Sequence, residues 1–362
     1  MTRSAFLTGQ RGSVNTSAEP PDVSSNGDRG RTLLSVKNLK VDFSTVDGRV
    51  HVLNDVSFSV GQGEIVGIVG ESGSGKTTLG LAILRLLDCP PAEIVGGSIV
   101  FDGKDLLKLG TRDLSRVRGC GINMVFQESL ISLNPVYRVE SDIKESIDVL
   151  CSSNRLSMAA QEKKELMLKV LKELCLDKPE IVLKKYPHEL SGGMRQRVSI
   201  AMSIVQTPKL LILDEPTTGL DGYVQNRILQ IIKKLNTELG MSMILITHDL
   251  TVASQICDGI YVMYSGRVLE VGRSNEILET PLHPYSETLL AALPLGYSDS
   301  GPLTVPAGEP PDLKQLPTGC KFHPRCPYAM EICRREEPQL AEPFGNAERM
   351  VSCWKYAEHQ RE

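Results

Sequence analysis

The stretch IVGIVGESGSGKT, residues 65–77, decides the fold. Five almost wholly apolar residues, 65–69, run directly into Gly70-Glu71-Ser72-Gly73-Ser74-Gly75-Lys76-Thr77. The second part fits G-x-x-x-x-G-K-[ST] at every fixed position. It also lies where such a loop works, between a strand covered on both faces and a helix. Glycines let successive backbone N–H groups curl around phosphate oxygens without a Cβ clash, and a helix N-terminus adds partial positive charge. In such a loop Lys76 reaches the β- and γ-phosphates and the Thr77 hydroxyl ligates Mg²⁺. The candidate nucleotide contacts are Gly70, Ser72, Gly73, Ser74, Gly75, Lys76, Thr77 and Thr78.

Outward from this loop the pattern is regular. Runs 34–41 and 56–60 are β-type, and 77–87 reads as a helix. Runs 122–126, 210–213 and 243–247 are further buried strands. Between them, 161–174 is Lys/Glu-rich with apolar spacing near the helical period, which makes about 128–190 a helical insert. The fold class is α/β: a parallel core, an antiparallel β piece in front and a helical subdomain. A small hairpin with Gly266 in the middle is expected over 261–271, and a short helix over 286–293.

The chain has 362 residues, enough for two or three structural units at roughly 100–200 residues each. Residues 1–30, rich in Gly, Ser, Thr and Pro, read as a disordered tail without the apolar core of a secretory signal; Arg3 and Arg11 lend it only a faint transit-peptide character. The ATP-binding unit spans 31–293, a Pro-rich connector 294–319, and a cysteine-bearing appendage 320–362. With 40 Lys+Arg against 44 Asp+Glu, the near-neutral balance argues against a nucleic-acid-wrapping surface. No run of 18 apolar residues occurs, so a membrane role would go through a partner. Nine cysteines are too few for a secreted disulfide scaffold.

The stretch KLLILDE, residues 209–215, is a buried strand ending in two acids. Asp214 is placed to supply a second Mg²⁺ contact, and Glu215 to orient an attacking water. LSGGMRQR, residues 190–197, opens an apolar-periodic helix. Ser191, Gly192 and Gly193 at a helix start form a second anion site, although an N-cap and tight turn alone ask for the same residues. One chain does not easily close two such sites on one nucleotide; two chains facing head to tail do.

These motifs together resemble the ATP-binding subunit of an ABC transporter, over the whole unit 31–293. The resemblance implies a P-loop NTPase, a RecA-like core with an antiparallel β subdomain and a helical subdomain. It implies that Ser191, with Gly192 and Gly193, contacts the γ-phosphate held by the partner subunit. Gln127 matches the Q-loop glutamine, so that Thr77, Gln127 and Asp214 surround Mg²⁺. Asp221 of Thr218-Gly-Leu-Asp221 matches the D-loop at the dimer seam, with Gly219 where Ala is common, and His248 matches the switch histidine. Catalysis then falls to Glu215, His248, Gln127 and Lys76. Phe43 is the adenine-stacking aromatic, with Phe58 and Tyr223 as alternatives.

Tyr186-Pro-His-Glu-Leu190, Ser132-Leu-Asn-Pro135, His283-Pro-Tyr285 and the tail 319–327 resemble the oligopeptide/dipeptide permease branch. That resemblance implies an ATPase powering uptake of peptides or a related solute. It implies a second ABC ATP-binding subunit (a heterodimer), two membrane permease subunits and an extracytoplasmic solute-binding protein, with the chain peripheral at the cytoplasmic face of the membrane. The rival readings are a soluble ABC-type ATPase acting on nucleic acid or ribosomes, and a redox sensor built on this domain.

Cys320, Cys326, Cys333 and Cys353 follow a C-x₅-C-x₆-C-x₁₉-C spacing, where uniform scatter would put about one cysteine. Four thiolates suit an iron–sulfur cluster or tetrahedral zinc. The missing close pairs tilt away from zinc, and some members of the resembled branch carry a [4Fe–4S] cluster here. Zinc with His323, or free thiols, stay open. Cys89, Cys120, Cys151, Cys175 and Cys257 read as small core residues.

Overall fold

A computed structural model describes residues 31–127, 133–154, 156–292, 308–345 and 348–356. The 1–30 tail, Ser132 and most of the connector lie outside these residues. Among those described, two sheets are stacked. The first is antiparallel, built from β1 (Thr32–Thr45), β2 (Gly48–Gly61), β4 (Ala92–Phe101) and β5 (Lys104–Asp105) in the order β2-β1-β4-β5. The second has the order β11-β10-β9-β3-β8-β7-β6. Its parallel centre is β9 (Gly259–Tyr264), β3 (Ile65–Val69), β8 (Ser242–Thr247), β7 (Leu210–Asp214) and β6 (Ile122–Val125). β10 (Arg267–Arg273) and β11 (Met350–Val351) add antiparallel at one edge.

The parallel strands are buried on both faces, so each strand's two-residue period divides two cores. Ile65, Val69, Leu211, Leu213, Met243 and Leu245 face a core shared with the helices Val139–Asn154, Ala160–Glu173, Pro179–Lys184, Gly192–Ile204 and Gly222–Leu239. Val66, Ile68, Leu210, Ile212, Ile244 and Ile246 face a second core closed by the antiparallel sheet and the helix Lys76–Leu84. The insert is helical, as its periodicity demands.

Two expectations change, for the helix and the scattered cysteines, and one strand, β4, goes unannounced by the sequence. The helix after the phosphate loop stops at Leu84, because Arg85 turns left-handed (φ 51°) and its guanidinium donates to the Leu106 and Leu109 carbonyls. β4 has no clear apolar run, because Gly96 and Gly97 sit at a shift of register against β1. A Cβ at Gly97 would stand 2.6 Å from the Leu39 Cα. Of the scattered cysteines only Cys151 and Cys257 are core residues; Cys89 is exposed, Cys120 and Cys175 half-buried.

The cysteine-bearing segment is no loose appendage. β11 pairs with β10 through Glu270–Val351 and Val271–Met350. Cys320, Phe322 and Cys333 belong to the same core as the helical insert. Glu270, fully buried, accepts from the Leu282 and His283 amides at 2.8 and 3.0 Å and from Arg349 at 2.9 Å, joining the sheet to the C-terminal lobe. Strand pairing, the aromatic Phe322 and a buried ion pair all contribute to the docking, and single contacts of this kind leave no periodic signal.

His283 caps the helix Pro284–Ala291 by accepting from the Tyr285 amide at 3.0 Å. Burial pushes its pKa down from 6.5 to about 3. The folded protein therefore keeps it neutral while the unfolded chain takes up a proton below pH 6.5, so its contribution is intact above that pH and is lost as pH falls towards 3. The loss approaches about 1.4 kcal/mol per pH unit. His283→Asn, which keeps a capping acceptor, is expected to flatten the fall of the urea midpoint over this range; an unchanged slope would contradict it.

Candidate functional site

The phosphate loop leaves β3 between β9 and β8 and enters the helix Lys76–Leu84 through Gly75, which is left-handed at φ 99°. Gly70 is required by a close approach: a Cβ there would stand 2.1 Å from the Met263 carbonyl oxygen of β9. The turn between β9 and β10, at Ser265 and Gly266, seals the loop's far side. The Gly266 amide donates to the Ser74 carbonyl at 3.0 Å, and the Asn54 amide donates to the Gly266 carbonyl at 2.9 Å. Ser74 and Lys76 are buried, whereas Ser72, Gly73 and Thr77 are exposed and Thr78 half-buried.

Lys76 Nζ donates to the carbonyls of Gly70 (2.6 Å) and Glu71 (2.9 Å). Burial lowers its pKa, and the nearby carboxylates of Glu215, Asp214 and Glu71 oppose the fall. The Thr77 hydroxyl donates to Asp214 Oδ1 at 3.2 Å. Asp214, 1% exposed at the end of β7, has its pKa raised to about 6 by burial, with Glu215 adding to the rise and Thr77 and Lys76 opposing it. These hard oxygen donors side by side suit Mg²⁺.

Glu215 follows in a left-handed backbone (φ 49°), its amide donating to the Ile246 carbonyl of β8 at 2.9 Å. That turn carries its carboxylate to His248 Nδ1, at 2.7 and 2.9 Å, and to the Thr218 hydroxyl. The carboxylate is buried while the imidazole is half-exposed (9% against 56%). Lys76, Thr77, Asp214, Glu215 and His248 therefore converge at the C-terminal ends of three parallel strands, where ligands of open α/β sheets bind. Gln127, two residues beyond β6, is exposed.

Ser191 caps the helix Gly192–Ile204, its hydroxyl accepting from the Met194 amide at 3.3 Å. Asp221 caps Gly222–Leu239 by accepting from the Val224 amide at 3.0 Å. The two helix starts lie against each other: a Cβ on Gly193 would meet Val224 Cγ1 at 2.5 Å. Both capping residues are exposed. Phe43 is half-buried on β1 opposite Val50 and Ala92. Phe58 is buried edge-on against Tyr261 with no face for a ligand, and Tyr223 is exposed on a helix, its hydroxyl accepting from Arg227.

Cys320, Cys326, Cys333 and Cys353 line one small cavity with His283, Phe322, His323 and Trp354. Burial pushes the Cys320 thiol up to about 12 and the Cys353 thiol to about 11, and raises that of Cys326. Among the described residues no three His, Cys, Asp or Glu side chains are gathered as they would be around a metal ion.

Sequence reasoning missed the surroundings of Glu71, a variable position of the loop. Its amide donates to the Tyr285 hydroxyl at 2.8 Å, and its carboxylate accepts two bonds from Arg325 at 2.8 and 3.0 Å. Nothing local signals a bond across 254 residues.

A family profile described as "ABC transporter" matches residues 53–218, and one described as "Oligopeptide/dipeptide transporter, C-terminal region" matches 269–333. The oligopeptide transport ATP-binding protein OppD of Escherichia coli is 45% identical over 327 residues, covering 90% of this chain and 94% of that protein. The dipeptide transport ATP-binding protein DppD of Bacillus subtilis is 39% identical, covering 90% and 96%. Among solved structures, a dimeric ATP-binding cassette in a post-hydrolysis state bound to ADP and Pi is similar at a TM-score of 0.60 and 28% identity, covering 67% of this chain and 98% of that one.

Gly70→Ala forces a methyl group into the Met263 backbone. It is expected to destabilise the fold by about 1–3 kcal/mol in chemical denaturation and to weaken nucleotide binding; a neutral outcome in both measurements would show that the two strands separate readily.

Proposed function

The chain belongs to the ATP-binding subunits of ABC transporters, in the oligopeptide/dipeptide branch, and we propose that it powers the import of di- or oligopeptides or a related small solute. Hydrolysis of ATP is the family's activity. The observation that carries the site assignment is the Glu215 carboxylate held by His248 and Thr218 at the strand tip beside Lys76, Thr77 and Asp214.

In this reading ATP lies along Gly70 and residues 72–78, with its adenine against Phe43. Thr77, Asp214 and Gln127 are the residues that would hold Mg²⁺, which neutralises charge on the β- and γ-phosphates when bound. Lys76 turns from the Gly70 and Glu71 carbonyls to the phosphates. Glu215 orients the attacking water for in-line displacement, and the His248 Nδ1–H keeps that carboxylate aimed. The exposed Ser191, Gly192 and Gly193, with Asp221, serve the nucleotide of a second ABC ATP-binding subunit. The dimeric state of the similar cassette supports such pairing, and in this reading the second subunit is a sister chain, giving a heterodimer. No helix among the described residues is long and apolar enough to cross a membrane. Attachment to the cytoplasmic face then runs through two permease subunits, fed outside by a solute-binding protein. The transport relatives favour this over an ATPase acting on nucleic acid or ribosomes, and over a redox sensor.

The four thiols supply the soft donor set of a [4Fe–4S] cluster, which we propose for the C-terminal lobe. What supports this reading is that Cys320, Cys326, Cys333 and Cys353 line one cavity and match the four thiolates such a cluster takes.

Two measurements test these readings. In the assembled transporter, Glu215→Gln is expected to retain ATP while turnover falls by about a hundredfold or more; near-normal turnover would reassign the water-orienting residue. Protein purified without oxygen is expected to absorb broadly near the visible–ultraviolet border, and Cys326→Ser to lose that band. A colourless protein containing zinc would refute the cluster.

A further inference from the structure

We propose that Arg325 of the C-terminal lobe is a positioning residue for nucleotide binding: by neutralising Glu71 it sets the affinity of the phosphate loop for ATP. The inference rests on the reading of that loop as the ATP site. Glu71 puts a carboxylate into a loop that has to accept a polyanion. It stays there because its amide and carboxylate are held from outside the loop and its carbonyl from within it. The amide donates to Tyr285, so it serves as an anchor and is turned away from phosphate. The carbonyl accepts from Lys76 and from the Ser74 amide at 3.2 Å. The carboxylate takes the two-pronged bond from Arg325, the geometry in which guanidinium binds carboxylate best.

The pair is well shielded, with the Arg325 side chain 6% exposed and that of Glu71 23%. The guanidinium is also fixed in direction. It donates to the Tyr264 hydroxyl at 3.3 Å and lies 5.8 and 5.9 Å from the ring centres of Tyr264 and Phe322. Tyr264 and Phe322 in turn pack on Tyr285, so the group that holds the Glu71 amide and the group that holds its carboxylate share one aromatic cluster. Pro310, Pro311 and Leu313 line a cavity together with residues 71–74 on this side of the loop. Without Arg325 a bare, half-buried negative charge would stand beside the triphosphate, where little water screens it.

The alternative is that Arg325 only docks the lobe. A charge role and a docking role separate in a double variant, because Glu71→Gln removes the offending charge without restoring the lost bond. MgATP is titrated into the full-length chain by calorimetry, with Lys76→Ala as the non-binding control. Arg325→Ala is expected to raise the Kd about tenfold, and Arg325→Ala combined with Glu71→Gln to return it to within about twofold of wild type. Arg325→Gln, which preserves size and some hydrogen bonding, is expected to weaken binding like Arg325→Ala and covers the case in which the smaller residue fails to fold. Wild-type affinity in Arg325→Gln, or a double variant as weak as Arg325→Ala, overturns the inference. A wild-type chain that does not bind MgATP sinks the nucleotide site itself, an outcome distinct from either.

Discussion

A loop that offers bare backbone amides to phosphate cannot hold its own shape, because the glycines that open it have no side chains to pack. Apart from Lys76, its main braces come from elsewhere. β9 presses its Met263 carbonyl so close to Gly70 that a methyl group would not fit, and the Gly266 turn bonds to Ser74. Lys76 folds back on the loop's first two carbonyls, while Tyr285 and Arg325 grip Glu71 from the outside. The two-sheet architecture serves this requirement, since both strands flanking β3 are parallel to it and bring their C-terminal ends to one place.

Charge is the second constraint. Asp214 and Glu215 are buried side by side, and burial has already made Asp214 reluctant to ionise. A triphosphate bound in the proposed mode would add more negative charge to this spot. Lys76, the helix start behind it and a divalent cation held beside Thr77 and Asp214 would offset it. Glu215 has its own partners, His248 and Thr218, which fix the direction of its carboxylate. Division of labour between two adjacent acids follows from which partners each one has.

Much of this was readable in advance. Strands covered on both faces are plain apolar runs, so β3, β7 and β8 and the residues at their tips, Lys76, Asp214, Glu215 and His248, stand out. The antiparallel sheet was harder, because β4 alternates only weakly and shifts register at a glycine pair. The attachment of the C-terminal lobe is hard to read for a related reason. Its cysteine density suggested separateness, while its attachment depends on single residues, Phe322, Arg325, Arg349 and Val351, whose partners are far away in sequence. Periodicity reports the face of an element; it does not report a bond between two loops.

The grip on Glu71 reaches across 254 residues, and that span has a consequence for biosynthesis. Emerging N-terminus first, the nascent polypeptide makes the glycine loop early and meets its braces in a set order: Lys76 at once, the Gly266 turn much later, then Tyr285, and Arg325 after all of these. A messenger cut short ahead of codon 325 therefore encodes a chain in which the strand tips carrying Asp214, Glu215 and His248 are all present but the glycine loop lacks its bond from Arg325.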